Sequence, residues 1–531
     1  MKRGADIIAG RLAALGCADA FGIPGGEVLT LVDALRDAGI AFHLTKHENV
    51  AGFMAEGTWH ATGAPGILVA TVGPGVANAV NTVANAMQDR VPLVFITGAV
   101  DAAVAHRYTH QVFDHQALLR PIVKASFRAE AGAVASVIDK AIAVMLDGQP
   151  GPVHIDLPIA VAQAEEPDMP MASPPRPTVL PHPNEIKSLR AALETAEKPV
   201  AVAGLDAVNE GAGPAIEAFC DAWGVPLITT YKGKGLIDER SPLALGGAGL
   251  SPKADETLLP FLDESDLILV LGYDPIEMRI GWRDPWGADP KVVEITTTVR
   301  THGMHRIDET IYAGVAETLT ALGPPSSTRP AHSRVVETKD ALASAFARTE
   351  DWGPAQVFAT LRNVMPDNTV STADSGAHRI LVSQMWQCFQ PRTMLQSSAL
   401  CTMGCAVPLA AGHALKKPES PTIAFIGDAG LEMILGDLAT LRDLKLPVII
   451  CVICDTSLAL IEKKQRAMQL PNSGVDFGAT DFPAVADAMG GHGVWIDDEE
   501  TLRSEAEAAL QRDVFTVLAC RVPQRSYDGL F

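Results

Sequence analysis

Short apolar runs alternate with longer amphipathic segments along this chain, and the order strand, helix, strand recurs over most of its length. Residues 422–426 and 447–454 are two such runs, each rich in Ile and Val and bounded by Gly or Pro, which is typical of strands buried on both faces of a parallel sheet. Residues 431–445 between them have the apolar spacing of a helix. Because strand–helix–strand crossovers are right-handed, the two strands can lie close together. The pattern predicts an α/β fold.

Two segments without a periodic pattern divide the chain into three blocks. Residues 165–183 carry seven prolines, and residues 323–332 are rich in Pro and Ser, as is typical of linkers. We therefore predict three doubly wound parallel-sheet domains, at residues 1–164, 184–322 and 353–531. Within them, the apolar runs predict further strands at 41–44, 151–158, 200–203, 267–271 and 369–372.

Length and charge narrow the classes of protein that the chain can represent. At 531 residues it is too long for one ordinary core. Its net charge of −21 argues against nucleic acid or an anionic membrane as a partner, because either would need a basic patch. No apolar run reaches the length of a membrane span. Residues 1–16 mix charged and apolar residues, which predicts a first helix and not a signal peptide. We expect a cytoplasmic protein.

The eight cysteines do not form the pattern of a disulfide framework in a chain of this length. Cys451 and Cys454 have Cys-x-x-Cys spacing, but positions i and i+3 of a strand face opposite sides. They are therefore not expected to chelate one metal ion. Cys401 and Cys405 are expected to pack in a core.

Two acidic turns carry the first candidate chemistry. Asp428 follows the predicted strand at 422–426, and Asp455 follows the strand at 447–454. Ligands of open α/β sheets bind at the carboxyl ends of the strands, and two carboxylates beside a helix N-terminus suit a hard cation that carries a phosphate group. The spacing suggests a Mg²⁺–diphosphate site. The alternative is a plain turn in which Asp428 caps a helix.

The segments Gly427-Asp428-Ala429 and Asp455-Thr456-Ser457, in the third of three blocks, resemble the thiamine diphosphate enzymes of the pyruvate oxidase, acetolactate synthase and pyruvate decarboxylase group. That family has Gly-Asp-Gly followed by an Asn, so Ala429 and Asp455 depart from its pattern. The resemblance covers essentially the whole chain. It implies that the first domain binds the aminopyrimidine, the third binds the diphosphate with Mg²⁺, and the middle one is a nucleotide-binding-like spacer.

The resemblance also implies a set of binding residues. Mg²⁺ would be held by Asp428, Asp455 and the backbone carbonyl of Ser457. His378 would donate to phosphate oxygens, and Met403 would wedge the cofactor into a bent conformation unless it is an ordinary core methionine. The full set expected to contact the cofactor is Pro24, Gly25, Gly73, Pro74, Asn78, His378, Met403, Gly427, Ala429, Gly430 and Leu458.

Glu48 is the residue that the resemblance marks for catalysis. A buried carboxylate hydrogen-bonded to the pyrimidine ring would favour the imino tautomer, whose own nitrogen takes the C2 proton of the cofactor. From the sequence alone, a solvated acid in the first turn of a helix is the competing interpretation. Gln111 and His110 resemble the His-Gln stretch of catabolic acetolactate synthases and are expected to contact the substrate. A capping or core role for them is the alternative.

Two further stretches, residues 272–277 and 473–478, resemble catabolic acetolactate synthases that lack FAD, so we do not expect FAD. The implied reaction decarboxylates a 2-oxo acid such as pyruvate and ligates the remaining unit to a second carbonyl. Leu458 and its apolar neighbours depart from the acetolactate synthase pattern, and no nearby arginine offers a clamp for an acceptor carboxylate, with Arg279 a distant candidate. A related decarboxylase, lyase or acetyltransferase therefore stays open, as does a non-catalytic regulatory paralogue.

The family places its active sites at the subunit interface, with Glu48 of one chain facing Asp428 of another. The resemblance thus implies a homodimer or a homotetramer.

Overall fold

Three six-stranded parallel sheets carry the fold in the computed structural model, which describes residues 2–169, 178–300, 302–327, 332–348 and 351–531. Each sheet is flanked by helices, and each belongs to one of three successive domains. The α/β prediction with three doubly wound sheets is confirmed. Parts of both predicted linkers, residues 170–177 and 328–331, lie outside the described residues.

The first domain has the strand order β3-β2-β4-β5-β7-β6, and β1 pairs antiparallel with β8. Its elements are β1 (Lys2–Arg3), α1 (Gly4–Ala14), β2 (Asp19–Ile23), α2 (Leu29–Asp37), β3 (Ala41–Leu44), α3 (Glu48–Thr62), β4 (Gly66–Ala70), α4 (Pro74–Gln88), β5 (Leu93–Ala99), α5 (His115–Leu119), β6 (Ala125–Arg128), α6 (Val134–Leu146), β7 (Val153–Pro158), α7 (Ile159–Gln163) and β8 (Glu165–Glu166).

The middle domain has the order β11-β10-β9-β12-β13-β14. Its elements are α8 (Pro183–Thr195), β9 (Pro199–Ala203), α9 (Leu205–Asn209), α10 (Gly213–Trp223), β10 (Leu227–Thr230), β11 (Ala244–Ala248), α11 (Pro252–Asp263), β12 (Leu267–Leu271), β13 (Lys291–Thr296), β14 (Glu309–Tyr312), α12 (Val315–Leu322) and α13 (Val335–Ala345).

The last domain has the order β16-β15-β17-β18-β20-β19. Its elements are α14 (Pro354–Val364), β15 (Val370–Ala373), α15 (Ala377–Met385), β16 (Met394–Gln396), α16 (Ala406–Lys416), β17 (Thr422–Gly427), α17 (Asp428–Glu432), α18 (Leu438–Leu444), β18 (Ile449–Cys454), α19 (Ala459–Ala467), α20 (Phe482–Ala488), β19 (His492–Ile496), α21 (Glu499–Ala509) and β20 (Thr516–Arg521).

The predicted strands at 422–426 and 447–454 are β17 and β18, which pair in parallel with Gly427 opposite Ile453. The single helix predicted over 431–445 is wrong, because α17 and α18 are separated by a short 3-10 turn, Leu435–Asp437. At this break the Asp437 carboxylate accepts hydrogen bonds from the Lys46 backbone N–H, at 2.8 Å, and from the Thr440 hydroxyl, at 2.9 Å. The helix is therefore interrupted where the last domain meets the loop before α3.

Helix α3 also packs closely on α16 of the last domain. A Cβ at Gly57 would lie 2.3 Å from the Leu409 carbonyl oxygen, and one at Gly412 would lie 2.1 Å from the Met54 carbonyl oxygen. Only glycine permits this approach of the two backbones. One apolar core consequently runs through the first and last domains, and it holds α3, which begins at Glu48, in place.

Glu56 is, after Glu48, the second buried acid on α3. Its carboxylate accepts from Asn85 at 2.9 Å and lies 3.4 Å from His60 Nε2. Burial raises the pKa of Glu56 to about 7, against the opposing effects of Lys232 and Asn85. The folded protein thus holds the Glu56 proton more tightly than the unfolded chain does.

We predict a pH-dependent loss of stability from Glu56. Below its ordinary pKa of 4.5 the carboxyl is protonated in both states; between 4.5 and about 7 only the unfolded chain releases the proton. Stability should fall as pH rises through this window, by at most about 3 kcal/mol. Glu56→Gln should flatten this part of the profile in urea unfolding from pH 4.5 to 8, whereas exposed Glu256→Gln should not. Equal slopes in wild type and Glu56→Gln would contradict the prediction.

No helix among the described residues is both long and apolar enough to cross a membrane. Cys405 is buried as expected, but the core prediction for Cys401 is wrong, because that residue is exposed. Cys401 has φ +58°, a left-handed conformation that places it in a turn between β16 and α16.

Candidate active site

Asp428 and Asp455 lie at the carboxyl ends of the neighbouring strands β17 and β18. Asp428 Oδ2 accepts from the backbone N–H of Thr456, at 2.7 Å, and of Asp455, at 3.1 Å, and its Oδ1 accepts from Ala429 at 2.9 Å. Asp455 Oδ1 accepts from the Ser457 N–H at 3.1 Å. The turn after β18 is tight, since Thr456 has φ +54°.

The two carboxylates disfavour each other's charge. Burial, and then the charge of Asp428, raises the pKa of Asp455 to about 7. Burial likewise raises the pKa of Asp428, against three backbone hydrogen bonds. A divalent cation would relieve this repulsion, and carboxylate and carbonyl oxygens are the ligands that Mg²⁺ prefers. The donor set of Asp428, Asp455 and the Ser457 carbonyl fits a hard cation.

A cavity of about 440 Å³ opens beside these acids. Its wall brings together residues from four loops at the carboxyl edge of the last sheet, and it includes every site residue predicted for the last domain. These are His378, Met403, Gly427, Asp428, Ala429, Gly430, Asp455, Ser457 and Leu458.

His378 and the glycines around it form a cradle at one end of the cavity. The ring is buried, its Nε2 has no hydrogen-bond partner, and burial lowers its pKa to about 3, so it is neutral. A Cβ at Gly376 would lie 2.7 Å from His378 Cε1, and one at Gly430 would lie 2.3 Å from Asp374 Oδ2. An unpartnered ring nitrogen beside a helix N-terminus and side-chain-free backbone fits a diphosphate group.

A second cluster forms in the first domain around Glu48. The carboxylate is buried, and its Oε2 accepts from Asn78 Nδ2 at 2.9 Å. A Cβ at Gly75 would lie 3.1 Å from Glu48 Oε1, so the turn after β4 packs directly against the carboxylate. The Pro24–Gly25 turn packs against Thr71, the residue that follows β4, since a Cβ at Gly25 would lie 2.1 Å from Thr71 Oγ1. The structure thus brings together Glu48 and the predicted turns.

A buried His–Asp pair is hydrogen-bonded to the Gly73–Pro74 turn. His115 Nε2 accepts from the Gly73 N–H at 3.1 Å, and its Nδ1 lies 2.8 Å from Asp156 Oδ1. With His154, these side chains have the spacing of a metal site. However, both His115 nitrogens are already hydrogen-bonded, which favours an orienting role over a metal site. Gly73 itself has φ +73° and starts α4.

We predict that His115→Ala destabilises the protein by about 3 kcal/mol, because the buried Asp156 loses its His115 partner and keeps the Thr97 hydroxyl as its hydrogen-bond donor. Asp156→Asn should cost less, and the double variant should cost less than the sum of the two. Urea unfolding of the four proteins measures this coupling, with exposed His106→Ala as a control. Additive losses would contradict a coupled pair.

Gln111 and His110 lie outside the cavity wall, on an exposed turn. Gln111 is adjacent to the Glu48 cluster, since a Cβ at Gly73 would lie 2.1 Å from the Gln111 carbonyl oxygen. His110 packs edge-on to the Tyr108 ring, with centroids 6.4 Å apart. Neither side chain caps a helix or enters a core.

The cavity and the Glu48 cluster are separate in this chain. The residues lining the cavity come from the last domain, except Leu250 and Arg279 of the middle domain. Glu48 is not among them. The two sets of predicted residues are therefore each assembled, but within one chain they do not share one cavity.

Several residues of the cavity wall were not predicted from the sequence, namely Arg379, Cys401, Lys464 and Tyr527. Arg279, the distant candidate for a carboxylate clamp, also reaches this wall from the middle domain. Arg379 directly follows His378, and this adjacency was the available signal. For Tyr527, near the end of the chain, no local pattern indicated a site.

Comparison with known proteins matches each domain to a family model. Models of thiamine pyrophosphate enzymes (the same cofactor as thiamine diphosphate) match residues 2–118 as the N-terminal TPP binding domain, 186–322 as the central domain and 374–520 as the C-terminal TPP binding domain.

Similar curated proteins extend over nearly the whole chain. A probable acetolactate synthase large subunit of Methanococcus aeolicus is 28% identical, covering 93% of this chain and 87% of that protein. Acetolactate synthase of Bacillus subtilis (strain 168) is 27% identical, covering 94% and 90%. The acetolactate synthase isozyme 3 large subunit of Escherichia coli (strain K12) is 26% identical, covering 96% and 93%.

Proposed function

Because this chain belongs to the thiamine pyrophosphate enzyme family and is a thiamine diphosphate-dependent enzyme of the acetolactate synthase type, we propose that it is a Mg²⁺-dependent carboligase. It would decarboxylate a 2-oxo acid such as pyruvate and join the remaining unit to a second carbonyl. The observation that carries this proposal is the pair Asp428 and Asp455 beside the His378 cradle, at the carboxyl edge of one sheet.

The last domain would bind the diphosphate group of the cofactor. Mg²⁺ would take Asp428, Asp455 and the Ser457 carbonyl as ligands, with phosphate oxygens and water completing its coordination. His378 and backbone N–H groups at the start of α17, other than that of Ala429, which donates to Asp428, would donate to the diphosphate. Met403, Leu458, Gly430 and Ala429 line the same cavity and would exclude water around the thiazolium ring.

Thiamine diphosphate supplies a nucleophilic carbon and an electron sink for decarboxylation. The protein must position the base that generates this nucleophile. Asn78 engages Glu48 Oε2, so Oε1 would be directed to the pyrimidine ring nitrogen and hold the proton there. Burial of Glu48 strengthens such a hydrogen bond by excluding water. Pro24, Gly25, Gly73 and Pro74 would form the wall beside that ring.

The separation of Glu48 from the cavity supports a homodimer or homotetramer in which one chain supplies Glu48 and another supplies Asp428. Exposed apolar side chains flank both clusters, as an interface requires. In the first domain they are Val104, Tyr108, Val112, Phe113 and Leu118; in the last domain they are Met433, Ile461, Met468 and Leu470. A catalytically active monomer in light scattering would contradict this arrangement.

We also propose that the middle domain binds no dinucleotide such as FAD. Nucleotides bind where strand order reverses, here between β9 and β12. The loops after these strands are closed on each other, since the Asp206 N–H donates to the Gly272 carbonyl at 3.0 Å. The buried carboxylates of Asp206 and Asp274, paired with Arg300 and Arg90, would also oppose a pyrophosphate.

The domain boundaries proposed are 1–164, 184–322 and 353–531, which enclose the three sheets. A cytoplasmic location is also part of the proposal, and the eight free cysteines support a reducing compartment.

Cofactor binding and products test the function directly. Calorimetric titration of thiamine diphosphate with Mg²⁺ present should give saturable binding that is lost with EDTA. A panel of 2-oxo acids, with products identified by mass spectrometry, should then give carbon dioxide and a ligated hydroxy-oxo acid. An aldehyde as sole product would make the protein a decarboxylase, and absence of cofactor binding would overturn the proposal.

A further inference from the structure

Arg379 buries a guanidinium group in the cavity wall without a carboxylate partner. The residue is 6% exposed, and it forms no ion pair with any described residue. Nη1 donates to the Ser397 carbonyl at 2.6 Å, and Nη2 lies 3.2 Å from Cys401 Sγ. Nε has no hydrogen-bond partner. The charge is thus solvated by two neutral acceptors and left with an unused donor.

The position of Arg379 makes this charge more costly still. It lies in the first turn of α15, where the helix dipole favours negative and not positive charge. Burial of an unpaired charge is unfavourable. An arginine that is both buried and close to a helix N-terminus needs an anionic partner, and no described side chain supplies one.

Two other cations line the same cavity, and we call Arg279, Arg379 and Lys464 the cationic wall. None of the three forms an ion pair with a described residue, although Arg279 Nη1 donates to the Leu250 carbonyl at 2.9 Å. The chain carries a net charge of −21, so carboxylates are abundant elsewhere. Lys464 is exposed and Arg279 is partly buried, so water can solvate both; the buried Arg379 is the cation that indicates an anion supplied by a ligand.

The cofactor diphosphate is not the expected partner of Arg379. Adjacent residues of a helix project in directions about 100° apart. His378 points to Gly376 and Gly427, the cradle beside Asp428. Arg379 instead bonds to Ser397 and Cys401, on the segment that precedes Met403. The hydrogen bonds of the guanidinium therefore run to a different segment of the wall, although its charge also lowers the pKa of His378.

Cys401 adds an independent indication. It lies in the left-handed region, at φ +58°, where glycine would be free of strain. The strained backbone nonetheless holds a side chain, whose Sγ meets the guanidinium of Arg379. The contact fixes one end of the guanidinium on a residue that lines the same cavity.

We propose that Arg379, within the cationic wall, binds a non-reacting anionic group of the substrate. The inference rests on the proposed function. The carboxylate lost as carbon dioxide is a poor partner, because a cation that stabilises it in the ground state opposes its loss. The group is thus a second carboxylate, sulfonate or phosphonate at the far end of the 2-oxo acid, or the carboxylate of the acceptor molecule.

Substrate pairs that differ in one charge test the proposal on the holoenzyme. The first arm compares pyruvate and 2-oxobutyrate with 2-oxoglutarate, 3-sulfopyruvate and 3-phosphonopyruvate as donors. The second arm fixes the donor and compares an acceptor 2-oxo acid with an aldehyde of similar size. Arg379→Gln should lower kcat/KM about tenfold or more, mainly through KM, for the anionic member of one arm. Its effect on the uncharged counterpart should be several-fold smaller.

Two further variants make the result interpretable. Arg379→Lys should recover part of the lost affinity, because it restores the charge without the fork geometry. Arg283→Gln, at an exposed arginine outside the cavity wall, is the matched control and should behave as wild type. Calorimetric titration of thiamine diphosphate into Arg379→Gln should give an affinity close to that of wild type.

The possible outcomes separate the two proposals. Equal losses for charged and uncharged substrates, or a large loss of cofactor affinity in Arg379→Gln, would overturn the anion site and leave the carboligase proposal standing. A wild-type protein that binds no thiamine diphosphate, or converts no 2-oxo acid, would overturn the proposed function itself.

Discussion

Replacing Glu48 by Gln is expected to lower turnover by about three orders of magnitude while the protein still folds and binds Mg²⁺–thiamine diphosphate. The amide has nearly the size of the carboxylate and can still accept from Asn78, which bonds Oε2 at 2.9 Å. It cannot, however, hold the proton that the pyrimidine nitrogen must share. The loss should therefore fall on kcat and not on cofactor affinity.

Exchange of the cofactor C2 proton reports the same step without any substrate. In deuterium oxide, quenched-flow NMR should show fast exchange for wild type and slow exchange for Glu48→Gln. Glu130→Gln is a suitable control, because that carboxylate is 63% exposed and lies on the first domain away from the turn cluster. Wild-type exchange in Glu48→Gln would remove Glu48 from the mechanism.

Asp428→Ala is expected to weaken thiamine diphosphate binding by about two orders of magnitude or more, because a metal ligand is lost. The substitution also removes the carboxylate that accepts hydrogen bonds from the backbone N–H groups of Ala429, Asp455 and Thr456. Asp428→Asn keeps most of these bonds and separates loss of the charge from loss of the turn. Calorimetry in the presence of Mg²⁺ measures both variants.

Asp455→Asn should have the opposite effect, with cofactor affinity preserved or increased. Asp455 adds a negative charge beside a polyanionic diphosphate, and Asp428 already opposes its ionisation. Removing that charge keeps an oxygen ligand and lowers the repulsion. Intact affinity in Asp428→Ala would contradict the metal assignment, and a large loss in Asp455→Asn would show that both charges are needed.

Local sequence pattern was sufficient for the strands and for the acids that follow them. The predicted strands at 41–44 and 267–271 match β3 and β12 residue for residue. For β12 the reason is burial on both faces, which short apolar runs between turn residues achieve in a parallel sheet. The acids at 428 and 455 followed from the same rule, since parallel strands end at one edge of a sheet. Their chemistry could be proposed before any coordinates.

Local pattern failed where the conformation depends on distant contacts. The helix predicted over 431–445 is broken at Asp437 because that side chain binds Lys46, which is far away in the sequence. Cys401 was expected in a core, but its turn puts it on the cavity wall. Adjacency to His378 was the one local signal for Arg379, and its lack of an ion pair is recognised only when its neighbours are known.

The sequence by itself determined the three α/β domains, the cofactor family and the residues at the ends of the strands, since these depend on hydrophobic period and on short motifs. Tertiary structure decided which side chains share a space. It placed the last-domain residues around one cavity, kept Glu48 in a separate cluster with Asn78, and put Arg379 beside Cys401. The reason is physical: burial and unpaired charge are properties of the packed chain, which local sequence does not specify.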